Sequence, residues 1–152
     1  PNLICLCATK NKQSFMKKLK RQLRFEKYVI VDSMNKAEGM IVLLNNDFKV
    51  IEVIINIFTM EVHILDPEKY MDWWFIGIYA STDNQIKRNQ WKVIERRKEL
   101  WGTRWMIAGN FNGITSNEKK WDGRRRGEGS FREFNGFIEK NEFIDLDFEG
   151  NP

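Results

Sequence analysis

The sequence predicts a layered α/β or α+β domain, and three observations carry that expectation. Strand-like segments come in runs, at residues 3–7, 27–32, 40–44, 49–57, 59–65 and 73–79. A few amphipathic segments with helical period interrupt them, at 11–23, 85–101 and 130–140. A chain of 152 residues with 42% hydrophobic residues is sized for one domain with a real core. No linker, repeat or low-complexity tract divides it, so the expectation is a single domain over 1–152.

The first strand, 3–7, is a short apolar run. The helix at 11–23 places Phe15, Leu19 and Leu23 on one face, with Lys12, Lys17, Lys18, Lys20, Arg21 and Arg24 around them. That stripe makes it a core-covering helix first, and its charges serve solubility before recognition. Strands at 27–32 and 40–44 flank a turn at 32–39. Asn45-Asn46-Asp47 is a turn, followed by Val- and Ile-rich strands at 49–57 and 59–65. Asp66-Pro67 breaks the chain before the strand at 73–79. In the helix at 85–101, Trp91, Ile94 and Trp101 share a face, and the Arg and Lys residues are expected outside. Residues 105–108 form a strand. The helix at 130–140 opens on a capping box, Ser130 with Glu133, and its stripe is Phe131, Phe134 and Ile138. A short strand at 144–147 is expected last.

Charge is a weak guide. The 25 basic and 21 acidic residues leave a net charge of +4. That suits nucleic acid and suits a mixed solvated surface equally. Cys5 and Cys7 sit two apart on one strand, poorly placed for a disulfide. They read as buried thiols of a reducing compartment, cytoplasm or nucleus, and C-x-C without further ligands is no zinc site. No apolar stretch is long enough to span a membrane, and no signal peptide is seen. Pro1 at one end and Gly150-Asn151-Pro152 at the other read as cut ends.

The most informative residues are Gly109-Asn110-Phe111-Asn112, after the apolar run Trp105-Met106-Ile107-Ala108. Phe111 is expected to point inward and anchor a turn, with Asn110 and Asn112 side by side on the other face. Paired polar groups at a strand end are a common place for chemistry. These four residues resemble the Gly-Asp-Phe-Asn motif of the endonuclease/exonuclease/phosphatase family, the DNase I-like fold, with Asn for Asp at 110. The opening PNLICLCATK resembles the strand that carries the family's metal-binding Glu, with Ala8 in its place. Residues 29–33 and 39–44 resemble the next strand, loop and strand. Trp74-Phe75-Ile76-Gly77-Ile78-Tyr79 resembles the strand that ends in a catalytic Tyr. The stretch from Trp121 through Ser130-Phe131-Arg132-Glu133-Phe134 to Phe143-Ile144-Asp145-Leu146 is similar to the endonuclease domains of LINE-type retrotransposon polyproteins, plant ones above all.

The resemblance implies a four-layer αββα sandwich of two mostly antiparallel or mixed sheets, incomplete at both ends. The family's N-terminal metal-site Asn and C-terminal Ser-Asp-His are not within these residues. It implies Mg²⁺-dependent phosphodiester hydrolysis, which needs a metal held by carboxylates, an activated water and a stabilised leaving group. Carried over by residue, Asn112 and Tyr79 match the phosphate-holding pattern. Asn110 matches the water-activating Asp in shape but not in charge. Ala8 matches the metal-binding Glu in neither. An amide cannot take a proton from water and is a poor Mg²⁺ ligand beside a carboxylate, so the expectation is a chain that keeps the nuclease fold, is catalytically impaired or inactive, and binds no Mg²⁺. Whether the substrate would be DNA, RNA or a small phosphate ester stays open.

Other readings stand beside these. Tyr79 alone reads as a half-buried aromatic with a wet hydroxyl, and Asn112 alone as a turn residue. His63, the only histidine, reads as a strand-face residue with no metal-spaced partner. Lys119, Lys120, Trp121, Arg124, Arg125 and Arg126, among three glycines, form the best nucleic-acid candidate: cations for phosphates and an indole for a base. A solvated loop is the alternative. DNA is the expected partner of the binding reading. A third reading is a relic without function.

Overall fold

The computed structural model describes residues 2–9, 18–19, 21–23, 25, 27–31, 39–113 and 128–146, with backbone alone at 7–9, 30, 31, 128 and 130. Two compact units divide the chain, Pro1–Asn110 and Phe111–Pro152.

Among its described residues the first unit holds these strands and one long helix: β1 (Leu3–Thr9), β2 (Lys27–Val31), β3 (Gly39–Leu44), β4 (Lys49–Ile55), β5 (Thr59–Asp66), β6 (Met71–Tyr79), α1 (Asn84–Trp101) and β7 (Trp105–Asn110). They form two sheets, ordered β1-β3-β2 and β4-β5-β6-β7. Among the described strands every pairing is antiparallel except β6 with β7. The exception follows from connectivity, because α1 carries the chain back before β7 begins and a helical crossover returns a strand in the same sense.

The two sheets pack face to face. Met40, Val42 and Leu44 of β3 form one buried cluster with Met60, Val62 and Ile64 of β5 and Phe75 of β6. The period of two explains the membership: alternate residues of each strand leave the same face. Burying each of these side chains contributes about 1.5–3 kcal/mol. Gly77 marks a close approach, since a Cβ there would lie 3.6 Å from Met40 Sδ and 3.7 Å from Cys5 Sγ. Cys5 is partly buried against this core. On its other face the first sheet buries Ile41 and Leu43 with Phe25.

The outer face of the second sheet carries α1. Asp83 caps the helix, accepting from the Ile86 amide at 2.9 Å, and Gly102 with φ 68° ends it. Trp91, Ile94 and Trp101 are buried as their spacing predicts. The expectation that its cations all face outward is corrected. Arg97 turns inward onto Glu61 of β5, a fully buried carboxylate, and Lys87 is buried too. Arg97 Nη2 donates to Glu61 Oε2 at 2.6 Å, Trp101 Nε1 donates to the same oxygen at 2.8 Å, and Asn56 Nδ2 donates to Oε1 at 3.1 Å. A buried carboxylate needs donors of this kind.

The second unit holds α2 (Glu128–Lys140). It starts ahead of Ser130, so Ser130 lies inside the helix and the capping box is corrected. Phe137 is the buried aromatic of its face, flanked by Phe134 at 6.5 Å and Phe143 at 5.1 Å between ring centroids. The expected strand at 144–147 is also corrected. Residues 144–146 are irregular, and Ile144 and Leu146 are exposed. An apolar run without a neighbouring ladder has nothing to hold it as a strand.

Two expected elements fall largely outside the described residues. Of the helix at 11–23, residues 18–19 and 21–22 are helical, and Leu23 N donates to Leu19 O at 2.9 Å. Of the turn at 32–39, only Gly39 is described. The strand expected over 49–57 ends at Ile55, where Asn56 N closes the hairpin on Thr59 O at 2.8 Å. No described helix is long and apolar enough to cross a membrane.

Candidate active site

Two of the sequence-derived residues meet at the carboxyl ends of parallel strands. β6 and β7 run side by side, and their register puts Tyr79 opposite Asn110. Directly opposed residues leave the same face of a sheet. Tyr79 packs against the core between the sheets, as do Met106 and Ala108 of β7. Alternation therefore sends Asn110 to that same face. The backbone holds the pair: Ala80 N donates to Asn110 O at 2.8 Å, and Tyr79 N donates to Phe58 O at 2.9 Å. Carboxyl ends of parallel strands are where such sheets place ligands, because the chain turns away there and leaves a crevice.

The strand before the motif is longer than its apolar residues suggest. β7 runs through Gly109 to Asn110. Gly109 has φ 136°, open to glycine and strained for other residues, and so the strand continues where a glycine suggests a stop. Asn112 belongs to the second unit. Its φ of 45° is left-handed, a conformation Asn tolerates. The extended alternation behind the side-by-side expectation thus ends before Asn112. Within that unit Phe111 packs on Phe134, with ring centroids 5.6 Å apart.

Ala8 belongs to β1 by its backbone, at a register shift between Leu6 and Thr9. Its side chain lies outside the described residues. So do Lys119, Lys120, Trp121, Arg124, Arg125 and Arg126. Among the described residues no three of His, Cys, Asp and Glu gather as metal ligands. Tyr79 and Asn110, opposed in the register, offer neutral donors and acceptors.

Sequence reasoning missed the partners of two charged groups. His63 is a strand-face residue, as expected, but it has an acid: its Nε2 lies 2.7 Å from Asp72 Oδ2. Its ring stacks on Trp74 at 4.5 Å, nearly parallel. Arg104 Nε donates to the Asp72 carbonyl at 3.0 Å. The bond from His63, with Arg104 nearby, holds the Asp72 carboxyl below its usual 3.8. The hairpin register could have shown this, since folding β5 on β6 about Asp66-Pro67 sets His63 opposite Trp74. The Glu61–Arg97 pair left no such signal. The bond to Glu61 raises the Arg97 pKa further above its usual range.

Known proteins place the fold. No protein-family model matches the chain, and no curated protein matches it. Solved structures do. The catalytic domain of human Nocturnin is similar with TM-score 0.64 at 10% identity, over 94% of this chain and 58% of that one. The endonuclease domain of TRAS1, a telomere-specific non-LTR retrotransposon, gives 0.62 at 13%, over 93% and 71%. An endonuclease/exonuclease/phosphatase family protein from Bacteroides thetaiotaomicron gives 0.58 at 15%, over 82% and 49%. The fold is thus α+β, a DNase I-like sandwich. The chain spans 58% of the Nocturnin domain's length and about half of the Bacteroides protein's.

Proposed function

We propose that this chain is a domain of the endonuclease/exonuclease/phosphatase type, derived from a plant LINE-type retrotransposon endonuclease, that no longer cleaves phosphodiesters with Mg²⁺. One observation carries the reading: the residue opposite Tyr79, at the end of β7, is a neutral carboxamide. Tyr79 and Asn112 would hold a phosphate through hydrogen bonds. Asn110 can orient a water but cannot accept its proton, and loss of a general base costs about 10²–10⁴ in rate. Ala8 supplies no ligand. The likeness to the TRAS1 endonuclease domain supports the ancestry.

Incubating the purified chain with supercoiled plasmid and Mg²⁺ tests the loss. The plasmid is expected to stay supercoiled, and Mg²⁺-dependent nicking would refute the proposal. The double variant Ala8→Glu, Asn110→Asp tests the roles and is expected to nick at least about 10²-fold faster than the parent.

A non-catalytic nucleic-acid-binding module is the second reading. Five cations and Trp121 within residues 119–126 favour it.

A further inference from the structure

We propose that β4 is a self-association edge, through which two copies of this chain join their second sheets into one continuous sheet. β4 is an outermost strand of its sheet among the described strands. Its residues are almost all exposed, and its sequence, Lys-Val-Ile-Glu-Val-Ile-Ile, has no proline and one charge of each sign. Ile51 is 53% exposed, Ile55 54%, and Ile57 in the following turn 92%. A long apolar edge of this kind presents unpaired amides and carbonyls as a template for another strand.

The hairpin fixes which groups point outward. Asn56 N bonds Thr59 O, Ile55 stands opposite Met60, and Ile54 opposite Glu61. Antiparallel ladders alternate, so Glu52, Ile54 and Asn56 spend their backbone groups on β5, and Val53 and Ile55 turn theirs outward. A two-fold axis perpendicular to the sheet, passing at Ile54, sets Val53 against Ile55 of the second copy and Ile55 against its Val53. Each such pair exchanges two backbone bonds, about four in all. Glu52 then meets Asn56, and the two Ile54 residues meet on the axis. Shifting the axis to Glu52 would oppose two carboxylates. The irregularity in β4, between Val50 and Glu52, lies outside this short ladder. The occupant is a second copy because the outward groups and the β-branched side chains beside them match their own reversal.

Sedimentation equilibrium of the chain from micromolar to millimolar concentration tests this. The mass is expected to double and to go no further. Val53→Pro removes an outward amide and leaves the β4–β5 ladder intact, so it should melt like the parent and stay monomeric. Ile54→Cys provides a second readout. Two residues opposed on the axis without shared backbone bonds have Cα atoms about 4.5 Å apart, within disulfide range. Mild oxidation should link the two copies through position 54, mapped by mass spectrometry. A parent that stays monomeric throughout would overturn the proposal. So would a folded Val53→Pro that still dimerises, larger assemblies, or association without the crosslink at 54.

Discussion

The fold lowers the pKa of Asp72. His63 and Arg104 hold its carboxyl low, so the folded chain takes up that proton less readily than the unfolded one. The contribution to stability is complete above the usual value of 3.8 and fades as pH falls through the lowered one. Asp72→Asn should therefore melt below the parent at neutral pH, with the gap closing at the acid end. Melting curves by circular dichroism across that range measure it, and a gap that ignores pH would contradict the assignment. Gly113 makes a second prediction. A Cβ there would sit 2.8 Å from Phe134 Cγ, closer than atoms tolerate. Gly113→Ala should cost about 1–3 kcal/mol through overpacking, read from chemical denaturation. An unchanged midpoint would mean that Phe134 moves aside freely.

Elements meet through a polar contact at the face between α1 and β5. Glu61 is fully enclosed, and three side chains from other positions donate to it. Removing Arg97 would strand a buried charge, and breaking such a pair costs about 3–5 kcal/mol. Arg97→Ala should lose that much in urea titrations. Replacing both partners, Glu61→Leu with Arg97→Met, should cost far less, because no charge is left without a partner. If the double variant proves as damaging as the single one, packing rather than charge holds α1 to the sheet.

On the scale of the whole molecule, the binding reading has a salt signature. Each phosphate neutralised on duplex DNA lowers the slope of log K against log salt by about 0.9. Neutralising Arg124, Arg125 and Arg126 together should flatten that slope by about 2–3 and weaken binding to all sequences alike. Fluorescence anisotropy over a salt series measures it. No binding at low salt would remove the reading.

The amino-acid sequence by itself determined where most strands and α1 lie, and which short motif ends β7. Periods of two and of 3.6 are local, and turn residues such as Asn45-Asn46-Asp47 act on their neighbours. Local signals failed at 144–146, which join no strand ladder among the described residues, and where a glycine is used for extended backbone, as at Gly109. Only the tertiary structure decided that Tyr79 faces Asn110, because the register between them crosses the 18 residues of α1. Only it turned Arg97 inward and gave His63 its acid. Those are pairings across distance, set by which apolar faces the two sheets bury, and no period in the sequence records them.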